Sequence, residues 1–247
     1  MGIITDAEVL EKAAARPKRL YDSVEDWIFS ETNGVVLSGP FKGMQLVREK
    51  AWDDGNLSTK CLGCYEEELH GEIERQIARL AKIERPKIVD LGCAEGYYAV
   101  GLARRLPNAE VWGVDICKQS LDILDVAAKI NGVHVLTDQA IAEVMQKPDF
   151  VLVDVEGDEI NYLKLDWFPD LERADILVEC HDCDELPITT PLFDRFQVTH
   201  DIELIEEGAR NPNKFEILRR QRSLHRWMAV CEGRPCTMQW LAMRAKR

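Results

Sequence analysis

Two apolar runs in this 247-residue chain each end in residues that handle protons or hold cations. "DFVLVDVEG" closes on Asp154 and Glu156, and "ADILVECHD" closes on Glu179, His181 and Asp182. His181 is the one imidazole of the set and titrates near neutrality, which suits a general base toward a hydroxyl nucleophile. A structural histidine bonded to a neighbouring carboxylate is the alternative. The oxygen ligands offer another chemistry: Asp154, Glu179 and His181 together suit a hard divalent cation, Mg²⁺ or Mn²⁺, that would lower the pKa of a bound hydroxyl. The expected catalytic residues are His181, Asp154 and Glu179, and the same three are the expected metal ligands.

A second constellation lies in "IVDLGCAEGYYAVGLA", residues 88–103. Glycines between an apolar run and a helical pattern let backbone approach a ligand closely. The dinucleotide spacing G-x-G-x-x-G fails here, because Ala94 and Tyr97 stand where glycines are needed. The spacing acid-x-Gly-x-Gly-x-Gly survives with one change, as Asp90, Gly92, Ala94 and Gly96. That is the pattern of S-adenosylmethionine (SAM) turns, with Cys93 inside it and a negative φ required at Ala94. Asp90 would serve the ammonium of the methionine end. Asp115, at the end of the next run, would accept both ribose hydroxyls, and Ile116 would lie on the adenine face. Asp138 and Gln139, after a third run, would meet the adenine amine, and Asp154 would close the cofactor site.

These residues need elements to hold them at strand ends. From residue 87 onward, Val/Ile/Leu runs alternate with helical patterns, which predicts a parallel sheet covered on both faces. The reading is an α/β fold: a doubly wound, mostly parallel, seven-stranded Rossmann-like sheet. The third strand falls at "GVHVLTD", which would bury His134. A long helix is predicted over 214–230, and the last two strands form an antiparallel edge. Residues 1–64 read as a separate appendage of helices at 5–16 and 21–30 with a β-hairpin at 34–47, a possible lid. Residues 65–247 read as the cofactor-binding domain.

The net charge is −13, from 31 Lys and Arg against 44 Asp and Glu. That field disfavours nucleic acid as a partner. No apolar run reaches membrane-spanning length and the first residues lack a secretory pattern, so the expectation is a cytoplasmic chain with reduced cysteines. The pairs Cys61/Cys64 and Cys180/Cys183 have zinc-like spacing, but they lie more than a hundred residues apart, and buried thiols are the favoured reading.

The segments "VDLGCAEGYYAVGLA", "GVD", "DFVLVDVEGDEINYL" and "DILVECHD" resemble class I SAM-dependent methyltransferases. Asp154-Val155-Glu156-Gly157 and the later Glu179-x-His181 are similar to the signature of FkbM-type members. The resemblance covers about residues 85–185. It implies O-methylation of a small or natural-product-like metabolite, with a homodimer possible. One departure is the Asp115-Ile116 pair, where that family often has Glu-Pro, and residues 30–82 and 190–247 are not covered by its motifs; in "GCYEEELH", Tyr65 or Glu66 would reach the cofactor, or the acids would simply favour a helix N-terminus. The readings set against it are a SAM-binding partner or sensor without catalysis, and a nicotinamide oxidoreductase, against which Ala94 and Tyr97 count.

Overall fold

The computed structural model describes residues 20–51, 56–182, 187–234 and 236–247; the expected helix at 5–16 lies outside them. Four apolar runs form parallel strands: β1 (Lys87–Leu91), β2 (Glu110–Val114), β3 (Phe150–Val153) and β4 (Asp175–Cys180). Every residue of β3 and β4 is buried, as a strand covered on both faces requires. Two more strands complete the sheet, β5 (His200–Glu206) and β6 (Gln239–Ala245), in the order β2-β1-β3-β4-β6-β5. Strand β6 runs antiparallel to both neighbours, the expected antiparallel edge.

The alternation along the strands splits the core in two. Ile88, Phe150, Leu152, Leu177 and Trp240 face α3 (His70–Leu80), α4 (Tyr97–Arg105) and α5 (Lys118–Ile130). Val89, Val151, Val153, Ile176 and Val178 face α6 (Ile141–Val144) and α8 (Thr189–Phe196). From β1 the strands are added first on one side (β2) and then on the other (β3, β4), so the crevice at the carboxyl ends of β1 and β3 is the switch point where open α/β sheets place ligands.

The sheet has six strands rather than the expected seven. Residues 133–138 make one parallel bridge, Leu136 to Trp112, with Gly113 N and Leu136 N each donating across at 2.8 Å. Asp138 then turns into the left-handed region at φ 64°, and the segment leaves the edge of β2. His134, expected in a buried strand, is exposed there. The helix expected at 214–230 also contracts. Two 3₁₀ turns at Pro212–Lys214 and Glu216–Leu218 precede α9 (Ser223–Ala229), and an extended Arg222 (ψ 148°) interrupts the run.

In the N-terminal part, residues 20–32 form α1, and the predicted hairpin is a loop closed by a single Val35–Gln45 bridge. Val24 and Ile28 of α1, Leu57, Cys61 and Leu62 of α2 (Leu57–Leu62), and Phe215, Leu218 and Ala229 share a third cluster. Buried Glu25 accepts a 2.7 Å bond from Leu57 N at the start of α2 and pairs with Lys50. Cys183 lies outside the described residues; Cys61 and Cys64 lie in this cluster and Cys180 ends β4 in another, all three buried thiols. Burial pushes each up to about 12. Cys236 is disulfide-bonded, which departs from the expectation of reduced cysteines. Among the described residues no helix is long and apolar enough to cross a membrane.

Candidate active site

The loop after β1 leans directly on the loop after β3. A Cβ at Gly92 (φ 82°) would meet the Asp154 carbonyl oxygen at 1.5 Å, so glycine is demanded by the chain itself before any ligand arrives. Gly96 (φ 84°) opens α4, and a Cβ there would strike Leu124. Between them Ala94 has φ 43°, not the negative value expected of it. Its strained turn is held by Asp115, whose Oδ2 accepts from Ala94 N at 2.9 Å while Oδ1 accepts from Cys117 N at 2.7 Å. Asp115 thus ties the ends of β1 and β2 together. Beside it, Ile116 is 90% exposed, an apolar face presented to the crevice rim. Asp138 and Gln139 are exposed, while Cys93 is buried with its sulfur close to Gly113.

Asp90 lies beneath the turn, 1% exposed, with Oδ2 lacking a hydrogen-bond partner. Burial, with Asp154 and Asp115 adding their charge, pushes it up to about 8 against a bond from the Ala99 amide. Asp154 follows β3, and its Oδ1 is likewise buried and unpartnered. Burial and the nearby Glu66 raise it to about 7. A crevice with two uncompensated acids, an exposed aliphatic side chain and a strand-end carboxylate fits a nucleoside that carries positive charge.

Toward β4 the histidine cluster assembles. Nδ1 of His181 lies 2.6 Å from Oε1 of Glu159, a fully buried carboxylate at the start of α7 (Glu159–Tyr162). Nε2 faces Asp154 Oδ1 at 3.7 Å and Glu156 Oε2 at 3.3 Å. Burial works against a charged imidazole here, but the Glu159 bond and the Asp154 and Glu156 charges outweigh it, and His181 sits above its ordinary value. Glu156 adopts φ 54° and projects at the mouth, 78% exposed. Glu159 was not singled out from the sequence; three residues beyond Glu156, it reads as an ordinary first-turn acid of a helix.

Glu179 does not join this cluster. Its carboxylate is bound by Arg234, which also holds Glu66 at 2.7 Å and Glu232 at 2.9 Å. Burial and the nearby Asp154 hold Glu179 well above the carboxylate range, and Glu232 rises to about 7. Arg210 extends the network to Glu232 at 2.7 Å and Glu68 at 2.8 Å, and the Tyr98 hydroxyl bonds Glu66. A cavity of about 10 Å³ separates Glu66, Tyr98 and Glu179 from Asp154, room for one water at most. Of the three residues expected as metal ligands, Asp154 and His181 lie together, with Glu156 beside them, while Glu179 is bound to Arg234. Asp182 is also committed elsewhere, accepting from Thr189 N and Gln239 at the start of α8.

The six-stranded order, the switch-point crevice and the strand-end acids define a doubly wound, Rossmann-like α/β architecture with a ligand crevice. The family model described as a methyltransferase domain matches residues 88–183, from β1 to just past His181. The release factor glutamine methyltransferase of Flavobacterium psychrophilum is 32% identical over 69 residues, 28% of this chain and 24% of that protein. Its counterpart from Deinococcus radiodurans is 30% identical over 59 residues, 24% of this chain and 21% of that protein. The matches thus span about a quarter of those relatives' length. Among solved structures, precorrin-6y C5,15-methyltransferase from Geobacter metallireducens aligns at a TM-score of 0.47 and 12% identity, covering 72% of this chain and 89% of that one. The Pyrococcus abyssi tRNA (uracil-54, C5)-methyltransferase, in complex with S-adenosyl-L-homocysteine, aligns at 0.43 and 18%, covering 73% and 38%.

Proposed function

We propose that this chain transfers a methyl group from SAM to a hydroxyl of a small or natural-product-like acceptor, as an FkbM-type enzyme. The observation that carries the reading is the pair of buried, unpartnered acid oxygens, on Asp90 and Asp154, at the switch-point crevice beside the Asp115 turn. Uncompensated acids there favour a cationic nucleoside over a pyrophosphate dinucleotide.

When bound, SAM supplies a methyl carbon made electrophilic by its sulfonium. Asp115 and the turn of Gly92, Cys93, Ala94 and Gly96 would hold the ribose side, Ile116 with Asp138 and Gln139 the adenine, and Asp90 the methionine ammonium through its unpartnered oxygen. An acceptor oxygen bound in line would take that methyl, the sulfur–methyl electron pair being left on the departing thioether. The acceptor's proton leaves toward the Asp154, Glu156 and His181 group, which lies at the carboxyl ends of β3 and β4. In-line positioning supplies several kcal/mol of the rate enhancement.

Calorimetry with S-adenosylhomocysteine (SAH) and with NAD tests the cofactor, and mass spectrometry of hydroxylated acceptors incubated with SAM tests the reaction. Binding of SAH alone, and products heavier by one methylene, are expected. Binding of NAD and not SAH rejects the reading. Tight SAH binding with no product from any acceptor class favours the sensor alternative.

A further inference from the structure

We propose that Asp154, Glu156 and His181 form a divalent-cation site that prefers Mn²⁺ to Mg²⁺, with Glu159 as its positioning residue. The use of the cation, to lower the pKa of the acceptor hydroxyl, rests on the methyl-transfer reading; the binding itself does not.

One oxygen of each carboxylate and one imidazole nitrogen lie within 4.8 Å of one another. Ligands about 2.0–2.3 Å from a shared ion stand roughly 3–4.5 Å apart, so the observed separations of 3.3 and 3.7 Å match such a group. Glu159 fixes the imidazole. Its Oε1 accepts from Nδ1 at 2.6 Å and from Gly157 N at 3.0 Å, and the side chain is fully buried. With the proton held on Nδ1, the lone pair of Nε2 is aimed at two carboxylates. In the neutral form of the imidazole three electron-rich atoms converge, an arrangement that a cation completes in place of the second ring proton.

Among the described residues no other cationic side chain forms an ion pair with these ligand atoms. Among the described residues, the ion pairs of Asp154 and Glu156 are with His181, and Arg234 is taken up by Glu66, Glu179 and Glu232. The Asp154 oxygen facing Nε2 has no hydrogen-bond partner, and the second oxygen of buried Glu159 also lacks one. Glu156 at the mouth leaves one side open, where water and an acceptor oxygen would fill the remaining positions. An imidazole beside two carboxylates shifts the preference from Mg²⁺ toward Mn²⁺. The outer carboxylate on the histidine is the partner that metal-bound imidazoles need.

The test is titration of Mn²⁺ into EDTA-treated full-length protein, with free Mn²⁺ read by electron paramagnetic resonance and SAH affinity read separately by calorimetry. One saturable Mn²⁺ per chain is expected, competed more weakly by Mg²⁺. Glu156→Gln, at an exposed position, and Glu159→Gln should each weaken Mn²⁺ binding about 10- to 100-fold while SAH affinity stays within about twofold. Absence of saturable Mn²⁺ binding, or binding that Glu156→Gln leaves unchanged, overturns the proposal. Mn²⁺ binding without SAH binding keeps the cation site and rejects the methyl-transfer reading instead.

Discussion

Glu159 and His181 are joined by a 2.6 Å contact between a carboxylate with no solvent exposure and a ring nitrogen. The contact crosses from the start of α7 to the end of β4, so it couples the loop after β3 to the strand beside it. Glu159→Gln keeps the shape but weakens the bond. The expected result is a kcat about 10- to 100-fold lower with an unchanged KM for SAM, because the turn that holds the nucleoside lies on β1 and β2. A variant with normal kcat would show that the orientation of His181 is irrelevant to turnover.

The turn at 92–96 makes opposite predictions for neighbouring positions. Ala94 at φ 43° carries the cost of a side chain in the left-handed region, about 1 kcal/mol. Ala94→Gly should leave stability unchanged or raise it by up to about 1 kcal/mol, and SAH affinity should not fall. Gly92→Ala places a methyl 1.5 Å from the Asp154 carbonyl and should prevent stable folding. Urea unfolding of both variants checks the pair; a destabilised Ala94→Gly would mean that its methyl packs favourably enough to offset the strain.

Asp115 holds two backbone amides across the crevice, so Asp115→Ala has a structural as well as a binding effect. Leaving Ala94 N and Cys117 N without that acceptor should cost about 1–3 kcal/mol. SAH affinity should fall at least roughly tenfold, the value of one good hydrogen bond to a charged group. Unchanged affinity in a variant that still folds would remove Asp115 from the cofactor site.

Arg234 is the hub of the charge network behind the site. Arg234→Met would leave buried Glu179 without its cationic partner, with Glu66 keeping Tyr98 and Glu232 keeping Arg210. Removing one partner of a buried ionic group typically costs about 3–5 kcal/mol. Unfolding midpoints should show that loss, and the double variant with Glu179→Gln should recover part of it.

How much of this was legible in the sequence depends on the range of the interaction. The strand runs, the Asp90 to Gly96 turn and the ends carrying Asp115, Asp154 and His181 follow from local apolarity and spacing, and the sheet brings them to one edge. The seventh strand was over-read, because an apolar alternation at 133–136 does not reveal that Asp138 turns the chain away. Glu179 was misplaced for a different reason. Residues two apart share a strand face, so Glu179 reads as a neighbour of His181, and only the position of Arg234, 55 residues on, decides that it belongs to the ionic network. Glu66 and Arg234 meet across 168 residues, which no spacing rule reaches.

Asp90 makes the stability of the ligand-free chain depend on pH in a direction opposite to that of a salt-bridged acid. Its ordinary value is 3.8, and in the folded chain it is pushed up to about 8. Between those values the folded chain keeps a proton that the unfolded chain has released, so the unfolded state binds fewer protons and rising pH favours unfolding. The Asp90 contribution should decline from about pH 4 and level off above about pH 8. Asp90→Asn cannot ionise and should flatten that part of the slope. Urea denaturation of both proteins at pH 6 and pH 8.5 reads the difference directly. The same proton should appear in ligand binding: an ammonium placed beside Asp90 favours the carboxylate, so SAM binding near pH 7 should release a proton, seen as a dependence of the calorimetric heat on buffer ionisation enthalpy. Equal pH slopes for the two proteins, together with heats that do not change with buffer, would show that Asp90 is ionised in the ligand-free chain and is not the acid that meets the cofactor's positive charge.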